Sequence, residues 1–293
     1  MKVPMSDGEV TAYQEEGGFS ATPRIYYVNG IQTTGSSHAT TARVLSILTE
    51  HTIIGVYNKT AGMVVGLPGD LLHCLADWAD GVKGKLMEKA DPILSSAING
   101  VKGFFHKRLG IGGGDPVDLA HSLRGMVPPH VRVALIENYL ATSNRATASL
   151  FAELSRNLGG PQWIVAHSQG NLITANALWA MVIAHGESSL ENMKVYSLAS
   201  PSPAWPMGIR GGRRKVYGHE DDVVTFADPH NWTFITRRIA DGKYGRTAGD
   251  WRMFGQVGIG GHDIKLNMLL NFAYRIRSDL GLPLFDGVLP TVQ

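Results

Sequence analysis

Trp163-Ile164-Val165-Ala166-His167-Ser168-Gln169-Gly170-Asn171 is an apolar, strand-like run that stops at a serine with a small residue two positions before it and another two positions after. The segment reads as a strand turning sharply into a helix. In such a turn the serine sits strained at the bend with its hydroxyl presented, and the residues two before and two after nearly touch, so Ala166 and Gly170 must be small. The helix expected next, Leu172 to His185 with Gly186 as its stop, is apolar on almost every face, as in a helix packed on a sheet and covered by other elements. The plainer alternative is a Gly-containing turn of another α/β fold in which Ser168 merely caps the helix. The preceding strand, the buried helix and the lack of a second match in the chain favour the first reading.

A serine hydroxyl is a poor nucleophile until a base takes its proton, and the base needs a carboxylate to hold its tautomer and stabilise its charge. In the order that goes with this turn, the acid and then the histidine follow the serine. Lys194 to Leu198 reads as a short strand, and Arg214 onward as another that runs into Glu220-Asp221-Asp222-Val223-Val224. A carboxylate at the C-terminal end of that strand shares a sheet edge with the serine. Asp222 is the candidate acid, being followed by two β-branched residues that can anchor it, and Asp221 is the alternative. Beyond Asp222 only His230 and His262 remain as bases. His262 lies in a Gly-rich loop, Gly258-Ile259-Gly260-Gly261-His262-Asp263, just before an amphipathic helix expected over Ile264 to Ile276, and is the candidate base; His230 is the alternative. His167, His185 and His219 read as packing, capping or surface residues.

Negative charge develops on the carbonyl oxygen during acyl transfer and needs aimed N–H donors. The backbone N–H of Gln169 supplies one. The second is expected from the loop after an early strand, Arg24 to Ile31, ending in Asn29-Gly30-Ile31. There the Ile31 N–H is the candidate donor, with Gly30 turning the backbone through positive φ before a helix over Ser37 to Glu50. An ordinary Asn-Gly tight turn is the alternative.

Asn29-Gly30-Ile31, Ala166-His167-Ser168-Gln169-Gly170, Asp222-Val223-Val224 and Gly261-His262 resemble the lipase-like branch of the α/β-hydrolase superfamily. The resemblance implies a mostly parallel sheet with helices on both faces and a Ser168, Asp222, His262 triad. It further implies cofactor-free, metal-free hydrolysis of carboxylic esters through an acyl-enzyme. Two positions depart from the common pattern: Ala166 stands in place of glycine, and Asn29-Gly30 replaces the frequent His-Gly. The overall layout also resembles lipase-type toxins delivered by bacteria to other cells.

The 293 residues fit one domain, 1–293, with an insertion. A strand is expected at Thr52 to Tyr57. From about 59 to 128 the chain does not alternate sheet and helix, and this stretch is the candidate cap. Within it Ile93, Leu94, Ala97, Ile98, Val101, Phe104, Phe105 and Leu109 share one helical face, with Lys102, His106, Lys107 and Arg108 near its end and Gly110-Ile-Gly-Gly-Gly114 beyond. A basic amphipathic helix beside glycine hinges fits a lid that opens on a lipid surface; packing of the same face on the core is the alternative. One long helical stretch, Pro129 to Leu158, should lead into the serine's strand.

Hydrophobic content of 44%, charged content of 18% and a formal net charge of +2 describe a globular protein without the basic, aromatic-interleaved surface that binds nucleic acid. The single cysteine, Cys74, excludes an internal disulfide framework. Met1 to Thr22 is polar and lacks the core of a secretory signal, and no run reaches spanning length, so a cytoplasmic protein, or one exported without a cleaved signal, is expected. Asp77 with Asp80, or Asp115 with Asp118, lacks the further ligands a calcium site needs. Arg210-Gly-Gly-Arg-Arg-Lys215 reads as a solvated loop, or more sharply as a contact for anionic headgroups. The leading expectation is a serine hydrolase of acyl esters, with lipids favoured by the resemblance and the apolar cap. An acyltransferase or thioesterase with the same triad, and a catalytically inactive binding module, are the competitors.

Overall fold

In the computed structural model of the chain, the described residues are 5–14, 20–30, 33–59, 63–64, 67–68, 128–200, 202, 205–209, 212–217 and 266–283. Eight strands fall among them: β1 (Val10–Tyr13), β2 (Ser20–Val28), β3 (His51–Val56), β4 (Met63–Val64), β5 (Leu67–Pro68), β6 (Gln162–His167), β7 (Met193–Leu198) and β8 (Arg214–Tyr217). Five α-helices accompany them: α1 (Gly35–Thr49), α2 (Pro129–Ser143), α3 (Arg145–Arg156), α4 (Gly170–His185) and α5 (Leu266–Asp279). Six strands form one sheet in the order β1-β3-β2-β6-β7-β8; all its pairings are parallel except β1 with β3. β4 and β5 make a separate antiparallel pair.

Both faces of the sheet are apolar because both are covered, as a parallel sheet requires. Side chains alternate along each strand. Ile25, Tyr27, Trp163, Val165, Tyr196 and Leu198 join Leu45 and Leu48 of α1 and Phe272 and Ile276 of α5 in one cluster. Tyr26, Val28, Ile164, Ala166 and Val195 join α2, α3 and α4 in the other. The architecture is therefore α/β, with a mostly parallel sheet between two helical layers.

Register brings the strand ends together. Val28 pairs with Ala166, Ala166 with Ser197, and Leu198 with Tyr217. From β2 the chain passes through α1 to β3 on one side, and from β6 it passes through α4 to β7 on the other. The reversal leaves a crevice outside the C-terminal ends of β2 and β6, the place where open α/β sheets bind ligands.

Several expectations are corrected. The Pro129 to Leu158 stretch is two helices, because the Asn144 side chain accepts from the Thr147 N–H at 2.8 Å and so starts α3 while its own N–H closes α2. β2 ends at Val28, not Ile31, and the polar N-terminal stretch supplies an edge strand, β1. The basic run after Arg210 is not a solvated loop. Arg213 donates to the carbonyls of Leu190 and Gly208, Arg214 lies 4.5 Å over the Trp205 ring, and Lys215 pairs with Asp279 at 2.9 Å. Those three cations have internal partners, which removes the basis for a headgroup contact there.

α5 is tied down at its end. Arg277 donates to the Leu48 carbonyl at 2.8 Å and to the Glu50 carboxylate at 2.9 Å. Asp279 accepts from the Tyr196 hydroxyl at 2.7 Å. Burial favours the neutral Asp279 carboxyl, but the hydrogen bonds from Lys215 and Tyr196 outweigh it and hold the group below its ordinary value.

His38 of α1 is an exception to polar satisfaction. It is 0% exposed, stacks on Tyr27 at 5.0 Å between centroids and meets Tyr13 and Tyr57 edge-on. Among the described residues neither ring nitrogen has a hydrogen-bond partner. Gly55 makes the room, since a Cβ there would lie 2.4 Å from His38 Nε2. Burial lowers the imidazole pKa from 6.5 to about 4, so the ring is neutral at pH 7.

Candidate active site

Ser168 occupies the single position between β6 and the Gln169 cap of α4, with φ of +52°. For a non-glycine residue that backbone costs on the order of 1–3 kcal/mol and persists only where its surroundings enforce it. The enforcing contacts are visible. Ser168 N–H donates to the Leu198 carbonyl at 2.9 Å, tying the bend to β7. The Asn171 amide, on the first turn of α4, donates to the carbonyls of Leu198 at 2.8 Å and Ser168 at 3.1 Å and accepts from the Ser197 hydroxyl at 2.5 Å. A strained turn crossed by this many bonds from the next strand cannot relax without breaking several of them.

Two glycines let β2 and the turn close on each other. A Cβ on Gly170 would stand 2.4 Å from the Val28 carbonyl oxygen and 2.9 Å from that of Asn29. A Cβ on Gly30 would stand 2.6 Å from Ser168 Cβ and 2.9 Å from His167 Nδ1. The need for a small residue at Gly170 is thus borne out, but its cause is the Val28 and Asn29 backbone and not the expected approach of Ala166. Gly30 serves for a reason other than the expected one: it does not adopt left-handed backbone, and its missing side chain instead admits Ser168 and His167 against the chain leaving β2.

Ser168 is 1% exposed and His167 5% exposed, so the turn is a buried feature packed by its neighbours. The N–H of Gln169 donates to no group among the described residues, while its carbonyl accepts from Leu172 and Ile173 to start α4. A helix N-terminal N–H with no partner among the described residues, one residue past a buried serine, is suited to receive negative charge.

Asn29 and Asn58 brace the same corner. The Asn29 amide donates to the carbonyls of Asn58 at 2.8 Å and Gly30 at 2.9 Å, and its oxygen accepts from the Asn58 N–H at 2.8 Å. Asn58 in turn donates to the Gln169 side-chain oxygen at 2.7 Å. Asn58 was not legible as a site residue. The only hint in sequence is a short polar side chain directly after an apolar strand.

The structure thus brings Ser168, Gln169 and Gly30 together at the crevice between β2 and β6. Ile31, Asp221, Asp222, His230 and His262 lie outside the described residues, as do Cys74, the two aspartate pairs and the helical face of the candidate cap from Pro92 to Leu109. β8 runs parallel to β7 and ends at Tyr217, on the edge that carries the turn, four residues before Asp221; α5 begins at Leu266, four residues after His262. His185 is a structural residue, its Nε2 3.1 Å from the Ser155 hydroxyl and its ring stacked on Phe151. Among the described residues no helix is long and apolar enough to cross a membrane.

Fold and site together define a mostly parallel α/β protein with a buried serine at a strained strand-to-helix turn. Comparison with protein-family models, with curated proteins and with solved structures finds no match.

Proposed function

We propose that this chain is a serine hydrolase of the α/β-hydrolase type, related to lipases, which cleaves carboxylic esters, lipid acyl esters foremost, through an acyl-enzyme. The observation that carries the reading is Ser168 at φ +52°, held between β6 and α4 with Gly30 and Gly170 pressed against the bend. A glycine would occupy the same backbone at lower cost, which supports the reading that the serine side chain is needed there.

Ser168 Oγ attacks the acyl carbon, His262 takes the hydroxyl proton and then delivers it to the departing alcohol, and Asp222 orients the imidazole and balances its charge. The N–H groups of Gln169 and Ile31 receive the charge on the carbonyl oxygen. Water, deprotonated by the same histidine, releases the acid. Asp221 and His230 are the replacements should either assignment fail, and the stretch from 59 to 128 is the cap over the acyl chain.

The test has two readouts on the full chain and on Ser168→Ala. Fatty-acid release from vesicles of mixed phospholipid and neutral lipid, together with fluorophosphonate labelling, should be present in the native chain and lost in the variant. Labelling without lipid release would retain the serine hydrolase and move the substrate to soluble esters or thioesters. Neither signal from the native chain would overturn the reading.

A further inference from the structure

We propose that Asn58, the second residue past β3, is a positioning residue for the oxyanion hole, acting through the side chain of Gln169. The inference rests on the serine-hydrolase reading above.

Asn58 is 4% exposed and stands at the centre of a chain of hydrogen bonds that joins the two sides of the crevice. On one side its backbone is clamped at two points by Asn29. The orientation of that amide follows from its partners: an N–H opposite the oxygen, and two carbonyls opposite the nitrogen. The clamp extends the pairing of β2 with β3 beyond Val28 and Val56 and fixes the carbonyl of Gly30, the residue before the second candidate donor. On the other side the Asn58 amide holds Gln169 Oε1 at 2.7 Å.

Gln169 is the residue whose backbone N–H is to be aimed. Its long, half-buried side chain ends in an amide oxygen that can itself accept a hydrogen bond. Pinned to Asn58, that oxygen is engaged on the β3 side; released, it is free to compete for N–H donors at the turn. Asn58 thus links the two sides at one residue: its side-chain amide holds Gln169, and its backbone is clamped by Asn29, whose amide also holds the Gly30 carbonyl. Loss of an aimed donor costs about 10²–10³ in rate. Loss of the group that aims it costs less, on the order of tenfold.

The experiment is a double-mutant cycle on the full chain with p-nitrophenyl butyrate, comprising the native protein, Asn58→Ala, Gln169→Ala and the double variant, with active sites counted by fluorophosphonate titration. Gln169→Ala keeps the backbone N–H, and Asn58→Ala keeps both backbone bonds to Asn29. Each single variant should lose about tenfold in kcat per titrated site with KM changed less than about twofold, because the donors act on charge present only in the transition state. The double variant should lose no more than either single one. Additive losses, or kcat retained within about twofold in Asn58→Ala, would overturn the proposal. If Asn58→Ala does not fold, Gln169→Ala cuts the same bond from the other end, and an unchanged kcat there is equally fatal. A native chain that fluorophosphonate does not label at Ser168 would instead bring down the serine-hydrolase reading and this proposal with it.

Discussion

Acidification from pH 7 to pH 4 should remove the stability that His38 contributes to this protein. Its ring is fully buried among Tyr13, Tyr27 and Tyr57, with neither nitrogen hydrogen-bonded among the described residues, and burial lowers its pKa from 6.5 to about 4 in the folded state. The unfolded chain therefore takes up this proton at a higher pH than the folded one. Stability from His38 is fully present above pH 6.5, is lost as the pH falls between 6.5 and about 4, and changes no further below that. At about 1.4 kcal/mol per unit of difference, the loss comes to about 3 kcal/mol. The three tyrosines do not confuse the window, because burial raises their pKa values further above it. Asp279, held below its ordinary value, acts only at the acid end.

His38→Leu isolates the effect. It fills a similar volume and removes both unsatisfied nitrogens, so at pH 7 the variant should be as stable as the native chain or more so. Urea denaturation of both proteins at pH 7.5, 6.5, 5.5, 4.5 and 4.0 yields a difference curve in which every other titration cancels. The native chain should fall behind the variant by about 3 kcal/mol over that range. A difference constant to within about 0.5 kcal/mol would refute the reasoning and would mean that His38 finds solvent or a partner on protonation.

Two further outcomes follow from the strained turn. Ser168→Gly should raise the thermal midpoint by the equivalent of about 1 kcal/mol, because glycine accepts φ of +52° without strain, while fluorophosphonate labelling disappears; a lower midpoint would show that the serine's own bonds outweigh the strain. Gly170→Ala should cost at least about 2 kcal/mol by chemical denaturation, since the new methyl meets backbone carbonyls on the facing strand and not a side chain that could swing away; a loss below about 0.5 kcal/mol would mean that β2 and the turn are not pressed together.

The turn itself was readable because its constraint is local. Two small residues around a serine, between an apolar run and an apolar helix, describe a bend whose flanks must touch, and β6, Ser168 and α4 follow in that order. The break at Asn144 was not readable, because the apolar spacing continues across it and a single capping side chain, not a proline or glycine, ends one helix and begins the next. β1 escaped for a related reason. An antiparallel edge strand buries only part of its surface, and Val10 to Tyr13 is buried at Tyr13 alone. The cause of Gly30 is not legible locally: Asn-Gly suggests positive φ, whereas the requirement comes from Ser168 and His167, more than a hundred residues away. Asn58 depends wholly on that same long-range approach, and a hydrogen bond from the chain just past β3 to the serine's turn leaves no periodic trace in a sequence.

Arg277 reaches the carbonyl of Leu48 across 229 positions of chain. Synthesis from the N-terminus sets an order on that contact. The layer of α2, α3 and α4 emerges just before and just after β6 and can dock early, but of the described helices the opposite face of the sheet has α1 alone over Trp163, Val165 and Tyr196 until α5 has left the ribosome. For the last part of translation the nascent chain therefore carries a half-dressed sheet with exposed aromatic side chains, the kind of surface that recruits chaperones and punishes premature release. A ribosome that stops before residue 279 would leave a product with its serine turn already encoded and its second hydrophobic face open to water.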